Sequence, residues 1–261
     1  IGEMIDIGDS LAIYAADGPE GVELRATDGS VGGSTLINDI RPGADGSWPT
    51  HLTRYKHLTY FVADDGTQGE ELWRTDGTKL GTNRVFESWP GDDMSPGKPI
   101  VLGRRLLFTA NHPDYGIELW VSDGTELGTQ LLCDIRPGPI GSGADRFIIV
   151  GNTLYFIADD GVHGRELWKS DGTPAGTGMI KDIQPGPADL DPRELTAITS
   201  TTLASVTRNG PSDRLLFFLD GPSDETELWT TDGSEAGTYS IKSIPMVESW
   251  LNHPHSLTVA G

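Results

Sequence analysis

The sequence predicts an all-β chain, a β-propeller of five blades with four antiparallel strands each, and three observations carry that expectation. The string Glu-Leu-Trp-x-x-Asp-Gly-Thr occurs at Glu71 to Thr78, Glu118 to Thr125 and Glu166 to Thr173. Degenerate copies stand at Glu23 to Ser30, where Arg25 replaces the Trp, and at Glu227 to Ser234. The motif aspartates Asp28, Asp76, Asp123, Asp171 and Asp232 are 48, 47, 48 and 61 residues apart, a period in the range of propeller blades. Between the copies, apolar runs are too short for helices, and the 34 Gly and 17 Pro punctuate them. We read residues 1–261 as a single propeller domain, a length at which all-β folds commonly form one domain.

The fourth copy shows the unit most cleanly. Phe147 to Val150 reads as a first strand and Thr153 to Ile157 as a second, joined by the turn Gly151-Asn152. After the loop Ala158 to Gly164, Glu166 to Trp168 reads as the third strand, and Gly178 to Lys181 as the fourth. β-Branched and aromatic runs bounded by Gly, Asn and Asp are the signature of a meander. In the third strand Glu166 and Trp168 point to one face and Leu167 to the other, so the Trp is expected to pack against the adjacent blade. At the turn after it, the Asp is expected to accept bonds from the backbone N–H groups that follow, while Gly supplies the positive φ of a tight turn.

After most fourth strands comes a Pro-Gly crossing to the next blade. It reads Asp39-Ile40-Arg41-Pro42-Gly43, Asp134 to Gly138, Asp182-Ile183-Gln184-Pro185-Gly186, and more loosely Trp89-Pro90-Gly91. Proline there fixes the backbone and cannot extend the ladder. The longer spacing before Asp232 locates an insertion near Thr199 to Asp213, expected as a loop on the last blade. Met4 to Ile7 and Leu11 to Tyr14 complete a first blade, yet Ser256 to Ala260 also reads as a first strand. That leftover strand is expected either to close the ring or to begin a sixth blade.

The repeat words closely resemble the bacterial ELWxxDGT repeat family, which is named for this string, and the resemblance runs through nearly the whole chain. It implies a propeller-like array found mainly in secreted or surface proteins, and it implies no common reaction. An extracellular or cell-surface protein is therefore expected.

Acidic residues outnumber basic ones 39 to 19, for a formal charge of −20. Such a surface repels nucleic acid and anionic lipid, because duplex binding relies on Lys and Arg at the phosphates. Cations, sugars and proteins remain as partners. Cys133 is alone, so no disulfide forms within the chain, and it reads as a small buried hydrophobe. No apolar run approaches the roughly 20 residues needed to cross a bilayer, so no membrane insertion is expected. The chain begins at Ile1 without a signal peptide, which we read as a mature protein or a piece of a longer one.

In a four-stranded blade, the loops joining strands two and three emerge on the same rim as the crossings. That rim collects Asp17, Asp64, Asp65, Asp114, Asp159 and Asp160, together with His163. Carboxylates gathered there suit Ca2+, which prefers oxygen ligands, although none of the strings matches an EF-hand; turns stabilised by Asp-Gly are the alternative use. Trp48, Trp89 and Trp250 lie outside the third-strand motif and are the candidates for sugar stacking. The six histidines form no HExxH motif and read as surface loop residues, and neither a Gly-x-Ser-x-Gly elbow nor a P-loop occurs.

One enzyme resemblance exists. Ala158, Asp160, Gly164 and Trp168, like Ala63, Asp65, Gly69 and Trp73, match the blade repeat of quinoprotein dehydrogenases, where it serves blade packing. The expected function is therefore a non-enzymatic propeller that binds a protein partner or joins a larger extracellular assembly. A carbohydrate- or calcium-binding lectin-like propeller is the alternative, and a quinoprotein-type enzyme the remote one.

Overall fold

A computed structural model of the chain describes residues 3–86, 93–199, 213–220 and 225–245. Its contacts form two compact units, Ile1–Gly141 and Ser142–Gly261. In the first unit, β1 (Met4–Gly8), β2 (Leu11–Gly18), β3 (Gly21–Thr27) and β4 (Ser34–Asn38) make one blade. β5 (Thr50–Tyr55), β6 (Leu58–Asp64), β7 (Glu70–Thr75) and β8 (Asn83–Arg84) make the second. β9 (Ile100–Leu102), β10 (Arg105–His112), β11 (Gly116–Ser122) and β12 (Gln130–Cys133) make the third. In the second unit, the fourth blade is β13 (Asp145–Val150), β14 (Thr153–Asp159), β15 (Arg165–Ser170) and β16 (Gly178–Lys181). The fifth is β17 (Arg193–Ile198), β18 (Arg214–Asp220), β19 (Glu225–Thr231) and β20 (Tyr239–Pro245).

Every sheet is an antiparallel meander in sequence order, and the first strands are neighbours: β1 lies beside β5 and β5 beside β9, while β13 lies beside β17. Five four-stranded antiparallel meanders, with first strands adjacent within each unit, make the fold a β-propeller. Among the described residues the helical content is a single 3-10 turn, Pro174–Gly176. No helix among the described residues is long and apolar enough to cross a membrane. Ser256 to Ala260, and all of the expected insertion except its end residues Thr199 and Asp213, lie outside the described residues.

The alternation along the motif strand decides the core. Leu24 and Trp73 lie in one buried cluster with Ile13, Ile37 and Phe61, which fills the space between the first two blades. Leu72 and Trp120 lie in the next, with Tyr55, Val85 and Phe108. Leu24 and Leu72 thus face the following blade and Trp73 and Trp120 the preceding one, as a period of two requires. In the second unit Leu167 packs with Ile157, Ile180 and Phe217, and the half-buried Trp229 rests against them. Trp73, Trp120 and Trp168 are 8, 4 and 9% exposed, which makes them packing residues and removes them as sugar platforms.

A β-bulge not evident in the sequence recurs at this strand. Leu24 pairs with Asn38 but Arg25 with Leu36, so Ile37 is the extra residue; Leu132 and Ile180 are its counterparts. All three are buried, whereas Ile241, the extra residue at the same place in the fifth blade, is exposed. An extra residue bends and twists the outer strand, and here it turns one more aliphatic side chain into the core. Cys133, at the end of its strand, is half-buried rather than fully buried.

Trp120→Ala is expected to lower the free energy of unfolding by about 3–5 kcal/mol, read from the urea midpoint at unchanged slope.

Candidate functional site

The rim that carries the crossings is assembled by the motif glutamates. Glu23, Glu71, Glu118 and Glu166 are fully buried. Glu23 Oε1 accepts from the Arg41 and Ser47 N–H groups, both at 3.0 Å, and its Oε2 accepts from Ser47 Oγ at 2.6 Å. Glu118 accepts from Arg136 N and Glu166 from Gln184 N, each at 2.9 Å. The donor is always the residue before the crossing proline, eighteen positions after the glutamate. That constant spacing was a legible signal for the role of the Glu, which sequence reasoning missed. A buried carboxylate is tolerable only when donors meet it, so each Glu draws the crossing onto its own blade.

The crossing then passes so close to the third strand that a side chain would not fit: a Cβ on Gly46 would lie 2.3 Å from Val22 N. Trp48 N donates to Val22 O and Asp64 N to Ser47 O, both at 3.0 Å, which ties the crossing to its own blade and to the next. Asp159 N repeats the second bond to Ser142 O at 3.0 Å.

Asp65, Asp114 and Asp160 lie in the loops after the second strands and Asp17, Asp64 and Asp159 at the ends of those strands, and most are engaged locally. Asp64 accepts from Gly66 N at 2.7 Å and from Arg41 Nη1 at 2.6 Å. Asp65 accepts from Thr67 N at 2.9 Å, and Asp159 from Gly161 N at 2.6 Å. Asp160 accepts from the N–H groups of Val162 and His163, both at 2.8 Å, and pairs with His163 Nδ1 at 2.7 Å. Burial pushes the Asp160 carboxyl up, but these bonds prevail and hold it below the usual range; His163 is raised, first by its bond to Asp160. Asp17 is exposed near the end of β2, and Asp114 donates its backbone N–H to His112 Nδ1 at 3.0 Å. Among the described residues no three His, Cys, Asp or Glu side chains are gathered in a way that would hold a metal. His112 departs from the expectation of surface histidines: it is buried, with its ring 6.1 Å from that of Trp120.

Trp48 is the outlier of the rim. Its side chain is 62% exposed, its φ is 53°, and its indole Nε1 donates to Asp45 O at 2.9 Å. In the crossing after the third blade, Gly141-Ser142-Gly143 stands where Gly46-Ser47-Trp48 stands here, and Gly143 has a φ of 56°. A bulky residue in the left-handed region is uncommon, since only Gly enters it without steric cost. Ile117, near the start of β11, and Ile140 in the first unit, and Val162 in the second, are further exposed apolar residues. Trp89 and Trp250 lie outside the described residues.

The motif turns form the other rim. Asp76 Oδ1 accepts from Thr78 N at 2.9 Å and Thr78 Oγ1 at 2.7 Å, and the turns at Asp28, Asp123, Asp171 and Asp232 repeat this geometry. The side-chain hydrogen bond, reinforced by the backbone one, holds Asp28, Asp76, Asp123 and Asp232 below the usual carboxylate range. The structural use expected of these aspartates is what the structure has.

Two latches join neighbouring blades here. Arg74 Nη1 donates to Gly124 O at 2.7 Å, and Lys56 Nζ to Asp123 O at 3.0 Å. Lys169 Nζ donates to Gly233 O at 2.6 Å in the second unit. Gly124 has a φ of 94° and lies under the Tyr60 hydroxyl, so a Cβ there would sit 2.1 Å from that oxygen. Shallow grooves of about 380 and 290 Å³ with mixed lining lie beside Arg74 and Lys169.

No protein-family model matches the chain, and no curated protein matches it. Solved structures resemble it distantly. TolB from Acinetobacter baumannii is 11% identical with a TM-score of 0.44, over 91% of this chain and 53% of that one. A putative TolB from Agrobacterium tumefaciens is 9% identical with a TM-score of 0.42, over 89% and 76%. A puromycin-hydrolyzing peptidase from Mycobacterium tuberculosis is 12% identical with a TM-score of 0.47, over 93% and 43%. The chain thus spans about half the length of the first of these.

Arg74→Ala is expected to cost about 1.5–3 kcal/mol, the range for hydrogen bonds to charged groups. Arg74→Lys should restore most of it, because Lys169 makes the same bond in the fourth blade. Chemical denaturation of the two variants checks both expectations.

Proposed function

We propose that the chain, as a protein of the ELWxxDGT repeat type, is a non-enzymatic binding or assembly module acting outside the cell or at its surface, and that the crossing rim is its recognition face. The observation that carries this reading is Trp48, an exposed indole in a left-handed backbone where the matching crossing has glycine. Such strain costs about 1–3 kcal/mol and clusters at functional positions. Exposed tryptophan is also the residue type most enriched among interface hot spots. The carboxylate of Asp45 is close by, and Arg41 lies 3.7 Å from it. A protein partner with an apolar patch flanked by Lys or Arg fits that surface.

The lectin-like reading keeps one specific observation. With its N–H pinned to Asp45 O, the indole presents a fixed ring beside carboxylates that accept hydroxyl hydrogen bonds. Calcium would enter that reading only with sugar and water oxygens added to a rim aspartate, since no three acidic side chains are gathered there among the described residues. The quinoprotein alternative gains no support from its spacing residues, since Asp65 and Asp160 cap turns and Trp73 and Trp168 are buried, the same scaffold use that repeat has in those enzymes.

Trp48→Gly separates binding from folding, because glycine relieves the backbone. Its melting temperature should stay level or rise. Its affinity for the partner should fall at least 10-fold, whether that partner emerges from a glycan array run with and without calcium or from cross-linking to purified cell-surface proteins. Unchanged binding by Trp48→Gly would contradict the assignment of the rim.

A further inference from the structure

The fifth blade leaves open a face that its counterparts bury. In the first blade, Ile40 of the crossing and Leu52 of the strand after it lie in one cluster with the motif Leu24 and the bulge residue Ile37. In the fourth, Leu190 of the crossing is joined by the half-buried Ile183 and Leu195 against Leu167 and Ile180. The chain that leaves each of these blades thus covers the Leu face of the blade it has left. The same face of the fifth blade carries Leu216, Leu228, Tyr239 and Ile241, by their places in the register. Leu228 is half-buried where Leu24, Leu72, Leu119 and Leu167 are fully buried, and Leu216 is half-buried where Tyr60, Leu107 and Tyr155 are buried. Ile241 is 51% exposed, against 6, 3 and 6% for Ile37, Leu132 and Ile180, and Tyr239 is 48% exposed.

A word that covers such a face recurs in the sequence. The crossings into β5 and β17 end in Pro-x-x-Leu-Thr, at Pro49 to Thr53 and at Pro192 to Thr196. In both, the residue before the Leu is left-handed, with a φ of 59° at His51 and 55° at Glu194. The Thr hydroxyl then donates back to the carbonyl of that residue, at 3.2 Å from Thr53 and 3.0 Å from Thr196. Each Leu follows the proline that opens its crossing, Pro42 or Pro185, by ten residues. Pro254 to Thr258 is the same word, and its Leu257 follows Pro245 by twelve. We propose that residues 246–261, which lie outside the described residues, are the occupant of the open face. They run as a crossing and then a strand beside β17, and they seat Leu257 on Leu228 and Ile241 as Leu52 is seated with Leu24 and Ile37.

Three considerations favour this occupant over a second copy of the chain. The recurring word gives residues 246–261 the register that the face requires. A segment attached at Pro245 meets the face as an intramolecular partner, at an effective concentration that a free copy does not reach. Two chains that each carry a formal charge of −20 also repel one another on approach. Leu, Tyr and Ile gathered on one sheet face lose contact with water when covered, which drives the segment down.

Thiol accessibility in the 261-residue chain tests the proposal. Ile241→Cys and, separately, Leu257→Cys are alkylated with iodoacetamide in native buffer and in denaturing urea, and each peptide is followed by mass spectrometry. Val31→Cys is the control, since Val31 is fully exposed, and the half-buried Cys133 reports that the fold is intact. The native reaction should be slower than the denatured one by about 10-fold or more at positions 241 and 257, and the two should be nearly equal at position 31. Adding Leu257→Asp to Ile241→Cys should bring position 241 to the rate of the control, because a carboxylate is not seated on an apolar face without cost. If Leu257→Asp does not fold, Leu257→Cys carries the test without it. The proposal is overturned if position 241 or 257 reacts natively as fast as position 31, or if Leu257→Asp folds and leaves position 241 protected. It is equally overturned if protection grows with protein concentration and light scattering gives twice the chain mass, which would make the occupant a second copy.

Discussion

A carboxylate placed on the central strands of a sandwiched sheet is among the costliest groups to bury, and it dictates what must surround it. In each of blades one, three and four the motif glutamate meets the N–H of the residue before a crossing proline. That bond fixes where the chain leaves its own blade, and so where the next blade begins. Proline then denies the crossing any ladder of its own, and in the first crossing glycine lets the backbone pass within contact of the third strand. Packing of Leu and Trp on opposite faces completes the blade, but it needs the crossing to deliver the next sheet at the right place.

Most of the repeated word is thus scaffold. Glu grips the crossing, Leu and Trp fill the spaces between blades, Asp and Thr close the turn, and the turn glycine carries the carbonyl that Arg74 or Lys169 of the preceding blade holds. Individuality resides where one copy departs from the others. Trp48 stands where Gly143 stands in a sister crossing, which gives one rim an exposed aromatic. The fifth blade leaves Ile241 exposed where Ile37, Leu132 and Ile180 are buried, which opens one sheet face. Departures from a repeat are informative because the fold tolerates them without requiring them.

The blades were legible in the sequence because a period of two along the strands and a period near 48 along the chain are both printed in residue types. The four strands of the fourth blade, read from β-branched runs and turn residues, fall within those of the structure. The motif aspartates were legible too, since an Asx turn is local. What escaped were features that depend on pairing across strands. The bulge that buries Ile37, Leu132 and Ile180 shifts a register, and a register leaves no trace in composition. The role of Glu23 depends on donors eighteen and more residues away, and the burial of His112 depends on Tyr115 and Trp120 folding around it. The rim aspartates could be named from sequence, but their hydrogen bonds to neighbouring N–H groups appear only in three dimensions.

The central claim is that the buried glutamate and its crossing act as one unit, and a double-mutant cycle on Glu23→Gln and Ser47→Ala measures this directly. If Glu23 holds the crossing through Ser47, the two substitutions share one interaction, and their combined cost falls short of the sum by more than about 1 kcal/mol. If the costs add within about 0.3–0.5 kcal/mol, as for independent sites, the glutamate does not clasp the crossing through Ser47 and the account of how one blade positions the next is wrong.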